Sequence, residues 1–90
     1  MALEKKTKPE LNQLFSDMIR ALVDDPSRVV ISINDLQSGE TAIVVEAPAQ
    51  DVGKVIGVGG RSARALRTLL HAAGAAAGLR YTLDIGHHDV

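Results

Sequence analysis

Apolar residues recur at Leu11, Leu14, Phe15, Met18, Ile19, Leu22 and Val23, the spacing of one continuous stripe along a helix. Thr7 and Glu10 stand ahead of it in capping-box spacing, with Pro9 in the first turn. Asp24 and Asp25 put negative charge at the unfavourable end of a helix and Pro26 forbids continuation, so the pattern predicts a helix that stops there. The period then shortens to two. In "RVVISIN", Val29, Ile31 and Ile33 alternate with Val30 and Ser32, and in "TAIVVEA", Ile43 and Val45 face one side while Val44 and Glu46 face the other. The "DLQSGE" between them predicts a hairpin turn at Gly39, and Pro48 ends the second strand. Val52, Val55 and Ile56 predict a short helix that starts near Gln50 or Asp51 and ends at Gly57. Ala63, Leu66, Leu70, Ala73 and Ala77 predict a longer one from about Arg61 to Ala77, stopped by Gly78. A last strand follows, in which Leu79, Tyr81, Leu83 and Ile85 alternate with Arg80, Thr82 and Asp84.

The order α-β-β-α-α-β predicts an α+β fold of two layers, with helices on one face of a three-stranded sheet. Ninety residues fit a single domain. Residues 1–8 are expected to form a flexible extension, 9–86 the domain and 87–90 a tail, with Met1 to Lys6 and Gly86 to Val90 frayed. The small residues of "HAAGAAAG" suit close packing of the last helix against the sheet or against a partner. No apolar run approaches the roughly 20 residues of a bilayer span, and "MALEKKTKPE" is not followed by an apolar signal region, so a cytoplasmic protein with no membrane role is expected. The absence of cysteine removes disulfides, thiol nucleophiles and cysteine zinc sites together. No Ser, His and Asp set has a spacing that suggests catalysis, so neither enzyme activity, a cofactor nor a small-molecule substrate is expected. His87 and His88 with Asp84 and Asp89 could be drawn as a metal site, but adjacent tail histidines are more often inert, and no metal is expected.

The net charge of -1 conceals a segregation. From Pro9 to Asp51 the acids Glu10, Asp17, Asp24, Asp25, Asp35, Glu40, Glu46 and Asp51 face only Arg20 and Arg28, whereas Val52 to Leu83 carries Lys54, Arg61, Arg64, Arg67 and Arg80 with no acid. The basic half holds the glycine-rich "GKVIGVGGRSARAL", and a polyanion is the natural ligand.

Three phosphate chemistries compete for those glycines. Gly57 and Gly59 match the start of a dinucleotide-binding G-x-G-x-x-G, and Asp84 lies at about the ~20-residue distance of a ribose-binding acid. Ser62, however, occupies the third glycine position, and Gly53 and Lys54 interrupt the strand that should precede the motif. The triphosphate loop G-x-x-x-x-G-K-[ST] cannot be written anywhere in the chain. In the third reading, Gly57-Val58-Gly59-Gly60 is a G-x-x-G turn between two helices. Its glycines permit positive φ and close approach, and unpaired amides at the start of the long helix favour anions. Gly53 serves either close approach of the polyanion or helix packing, two roles that spacing does not separate.

Set in this element order, "VGKVIGVGGRSARALRTLL" resembles a type II KH domain, over almost the whole chain. With "ALVDDP" and "APAQDVGKVIGVGGR", it is more closely similar to the KhpA family of small bacterial single-KH proteins. The resemblance implies an RNA chaperone or post-transcriptional regulator that grips short single-stranded RNA, forms a homodimer, partners a larger KH protein (KhpB-like) and is linked to cell-shape and cell-wall regulation. It also implies a site made of Lys54, Ile56, Gly57, Val58, Gly59, Gly60, Arg61, Arg64 and Arg67. Val52, Val55 or Ile56 would form an apolar floor, with Val44 and Glu46 as less certain members. The variable pair Val58-Gly59 carries no basic residue, so Lys54 and the arginines must supply the charge, with His71 next along the same face. One Phe and one Tyr are too few for a ring-stacking platform. A KH-fold scaffold for protein partners that has lost RNA binding is the competing reading.

Overall fold

The computed structural model describes residues 6–87. Helix α1 (Lys8–Arg20) opens on a complete capping box: Glu10 N donates to Thr7 Oγ1 and Thr7 N donates to Glu10 Oε1. The Thr7 N–H, and then the Thr7 hydroxyl, hold the Glu10 carboxyl below its usual range. The helix buries Leu11, Phe15 and Ile19 and ends a turn before the acid pair. Its last bonds tighten to i→i+3, Leu22 N to Ile19 O and Val23 N to Arg20 O, which turns Val23 into the core and keeps Asp24 and Asp25 clear of the negative helix end. The expected stripe is therefore shorter than the pattern implied, because Leu14 and Leu22 are exposed. Arg20 braces the connection that follows by donating to the carbonyls of Pro26 and Val29 at 3.0 and 2.9 Å.

Strand β1 (Val30–Asp35) pairs antiparallel with β2 (Thr41–Ala47), and β2 pairs parallel with β3 (Tyr81–His87), so the order is β1-β2-β3 with β2 in the centre. Helices α2 (Ala49–Ile56) and α3 (Arg61–Ala76) form the crossover between the two parallel strands. The architecture is the expected α-β-β-α-α-β sandwich. Ile43, Val45 and Ala47 of β2 are fully buried beneath the helices with Val55, Leu66, Leu70 and Leu83, while Val44 and Glu46 point to the opposite, open face beside Asp84 and Gly86. Lys8, set in the flexible extension by sequence, lies inside α1, and Gly86 and His87, set in the frayed end, lie inside β3, with Gly86 paired to Glu46 and His87 to Ala47. Residues 1–5 and 88–90, and with them His88 and Asp89 of the metal site drawn from sequence, fall outside the described residues.

Tyr81 is the hub of the core. It is 2% exposed, donates its hydroxyl to Asn12 Oδ1 at 2.7 Å and meets Phe15 edge-on, with ring centroids 5.2 Å apart. Burial holds its phenol above the ordinary range. Gly74 of α3 lies directly on this ring, where a Cβ would fall 2.8 Å from Tyr81 Cδ2 and 3.0 Å from the Leu79 carbonyl oxygen. The small residue is thus required inside the fold, not at a contact between chains. Gly74→Ala gains helix propensity of about 1 kcal/mol but overpacks a ring and a backbone oxygen that cannot retreat. A net loss of about 1–2 kcal/mol is expected in denaturant unfolding, against a gain if the ring shifts freely.

Candidate nucleic-acid interface

Helix α2 ends because Gly57 takes φ +79°, a left-handed value that breaks the helical path. Any side chain there would also meet α3, since a Cβ would fall 2.5 Å from Ser62 Oγ and 2.9 Å from Ser62 N. One 3-10 turn, Val58–Gly60, crosses to α3, closed by Gly60 N donating to Gly57 O at 3.1 Å. Gly60 is the residue before α3, at φ +76°, and no side chain caps the helix, whose first amide, Arg61 N, donates to the Val58 carbonyl. Val58 crowns the turn, 87% exposed. The segment is a bend between helices. No strand runs into Gly57 and Asp84 projects from the open face of the sheet, so the dinucleotide arrangement is not formed.

Beside this turn a cleft of about 360 Å³ opens between α3 and β3, lined by Ile56, Gly60, Ala63, Arg64, Arg67 and Ile85. Its far wall is a strand edge. Thr41 N donates to Arg80 O, which fixes the phase of the parallel ladder: Arg80, Thr82 and Asp84 turn their backbone groups to β2, while Tyr81, Leu83 and Ile85 turn theirs outward. Arg67 confirms that phase by donating from Nη2 to the Leu83 carbonyl at 3.3 Å. Arg64 folds over the glycine turn toward Gly59 O at 3.4 Å, and Arg61 is exposed at the first helical position. Both bonded arginines touch carbonyls and, among the described residues, no carboxylate, so these bonds position them without compensating their charge.

The structure brings together Ile56, Gly57, Val58, Gly59, Gly60, Arg61, Arg64 and Arg67 of the expected site. Lys54 is set apart. It lies about 200° round α2 from Ile56 and pairs with Asp24 in the α1–β1 connection. The apolar floor is also revised. Val55 is wholly buried in the core, Val52 packs partly buried against that core, and Val44 and Glu46 occupy the open face of the sheet, which leaves Ile56 and adds Ile85. Ile85 was legible as an inward strand residue, but only the position of β3 at the sheet edge carries it into the cleft. Gly53 faces open space, with nothing within 4 Å of where a Cβ would stand, so helix packing is not its role. Both rings of the chain, Phe15 and Tyr81, are locked in the core, and the cleft offers no base-stacking platform.

Residues 12–85 match the profile of the family described as KhpA/KhpB, KH domain. The chain is 44% identical over 73 residues to the RNA-binding protein KhpA of Treponema pallidum (strain Nichols), covering 81% of this chain and 90% of that one. It is 37% identical over 78 residues to the RNA-binding protein KhpA of Streptomyces coelicolor, covering 86% of this chain and 96% of that one. Identity to the RNA-binding protein KhpA of Listeria monocytogenes is 33% over 75 residues, with 83% and 97% covered. The profile extends across α2, the glycine turn, α3 and most of the sheet, and the chain belongs to the KhpA/KhpB family of KH domains.

Proposed function

We propose that the chain binds single-stranded RNA in the cleft between α3 and β3, with the Gly57–Gly60 turn against the sugar-phosphate backbone. The observation that carries this is the convergence on one cleft of a glycine-rich turn, a helix start without a side-chain cap, two arginines held by carbonyls and an open strand edge. Each part has a partner on a single strand. Amides and arginines take phosphate, Ile56 and Ile85 supply apolar contact to the base faces, and the outward N–H and C=O groups of Leu83 and Ile85 can read base edges. An unpaired strand presents such edges, whereas a duplex of A-form hides them. The relatives named as RNA-binding proteins support the assignment.

Assembly is proposed on the other side of α3. Met18 of α1, Leu22 just beyond its end, and Ala65 and Leu69 of α3 border a shallow apolar groove of about 320 Å³, a surface suited to the homodimer or the larger KH partner that the resemblance implies. Dimerising would link two weak clamps and raise the effective concentration of each. The chaperone, cell-shape and cell-wall roles, and a cytoplasmic site of action, are proposed from family resemblance. No described helix is long and apolar enough to cross a membrane.

Replacing Val58 and Gly59 by Asp puts two negative charges on the turn without a steric demand, since a Cβ at Gly59 meets nothing within 4 Å and Asp tolerates its φ of +64° better than most residues. Binding of a labelled single-stranded RNA, measured by fluorescence anisotropy, should fall at least about tenfold with thermal unfolding little changed. Unchanged binding by that folded variant removes the site. A wild-type chain that retains protein partners after nuclease treatment and never crosslinks to RNA favours the scaffold. Arg64→Ala and Arg67→Ala should each weaken binding more than Lys54→Ala and should reduce the salt slope by about 0.7. Gly53→Ala should stabilise the fold by about 0.5–1 kcal/mol in denaturant melts, because α2 loses a flexible interior residue and the methyl points into open space. RNA affinity unchanged in that variant would show that no strand passes over Gly53.

A further inference from the structure

The cleft does not end at Arg67. On α3 the residues Arg64, Arg67, His71 and Ala75 follow at spacings of three and four, one continuous face laid along the outer edge of β3. Past Arg67 this face opens into a second recess of about 250 Å³, lined by His71 and Ala75 from α3, Arg80, Tyr81 and Thr82 at the start of β3, and Glu40 before β2. Arg67 stands between the two recesses, its guanidinium on the Leu83 carbonyl. Resting on the reading of the first recess as an RNA clamp, we infer that the same strand continues into the second, where His71 and Arg80 hold at least one further nucleotide.

Three features of the recess fit that occupant. Arg80 donates one bond, from Nη2 to Ser38 O at 2.8 Å, which pins the side chain to the hairpin turn and leaves the rest of its donor fork for phosphate. His71 is exposed at the rim on the same side. Glu40 repels phosphate and accepts N–H, so it orients the nucleotide with backbone toward Arg80 and the amino edge of its base toward the carboxylate. The distance is also right. Ile85 to Tyr81 is four strand residues, about 13 Å at ~3.3 Å each, so the second recess lies where a strand leaving the first would continue along the same edge. A binding footprint longer than the four nucleotides of a KH clamp follows.

The test uses the full chain and two labelled single-stranded RNAs of alternating adenosine and cytidine, four and nine nucleotides long, read by fluorescence anisotropy across a salt series. Both bases present amino groups to Glu40. His71→Ala and Arg80→Ala should bind the four-mer as the wild type does and the nine-mer about five- to tenfold more weakly. For Arg80→Ala the nine-mer salt slope should also fall by about 0.7. The longer RNA gains affinity in every variant from its additional registers, so the comparison between proteins on one RNA carries the result. His71→Ala guards against a folding artefact, since it replaces an exposed helical residue by the best helix former. If both variants hold the nine-mer as tightly as the wild type, the extension is wrong and the clamp stands. If the wild type binds neither RNA, the clamp reading fails and the extension with it.

Discussion

The contact between Gly57 and Ser62 is the constraint on which the cleft depends. Because nothing larger than hydrogen fits at Gly57, the end of α2 lies against the first turn of α3, and a single 3-10 turn suffices to join them. That closeness fixes Ile56 and Ala63 as neighbours on one wall and places the uncapped start of α3 at the mouth. A side chain at Gly57 would push α3 outward and widen the separation between α3 and β3, across which Arg67 now reaches Leu83. The second anchor is Gly74 on Tyr81, near the other end of α3. Two close approaches, one at each end, hold the helix parallel to the strand edge and give the groove its length.

Electrostatics complete what the backbone begins. Among the described residues the ion pairs are Lys8 with Asp35, Arg28 with Asp51 and Lys54 with Asp24, and none of the six lines the cleft. Their cations are neutralised where they tie α1 to β1 and the α1–β1 connection to α2. Arg64 and Arg67 of α3 and Arg80 are held instead by carbonyl oxygens of Gly59, Leu83 and Ser38, which direct a guanidinium without cancelling its charge. A protein of net charge -1 can therefore present a positive surface to a polyanion, because acids and carbonyls are divided between its two sides.

Periodicity and glycine placement made most of this legible from the chain alone. The strands, the α2 stop at Gly57 and the span of α3 follow from local pattern, since alternation and helical period report which face is buried. What periodicity could not report was which elements are neighbours. Lys54 lies two residues from Ile56 in sequence but on the other flank of α2, and Asp24, thirty residues earlier, takes its charge. Val55 fits an apolar floor as well as it fits a core until the sheet is placed beneath it. Ile85 enters the cleft only because β3 pairs parallel to β2 and becomes an edge, a choice made by the long α2–α3 crossover. The early end of α1 was equally non-local, drawn by the burial of Val23 and by Arg20 reaching the carbonyls of the next connection.

The fate of the two aromatic rings bears on how such a cleft must work. Phe15 and Tyr81 meet edge-on in the core, and the hydroxyl of Tyr81 is occupied by Asn12, so neither of these rings is free to stack a base at about 1–3 kcal/mol apiece. Without stacking, each nucleotide gains only apolar contact with an aliphatic side chain, a hydrogen bond or two to the strand edge, and a screened phosphate contact. Such contributions are individually small and salt-sensitive, so tight binding requires many of them in register. A straight helix packed along an open strand edge supplies that register, since its charged face repeats every three or four residues while the strand presents alternate backbone groups. The geometry that makes one clamp weak is the geometry that lets contacts be added along the same groove.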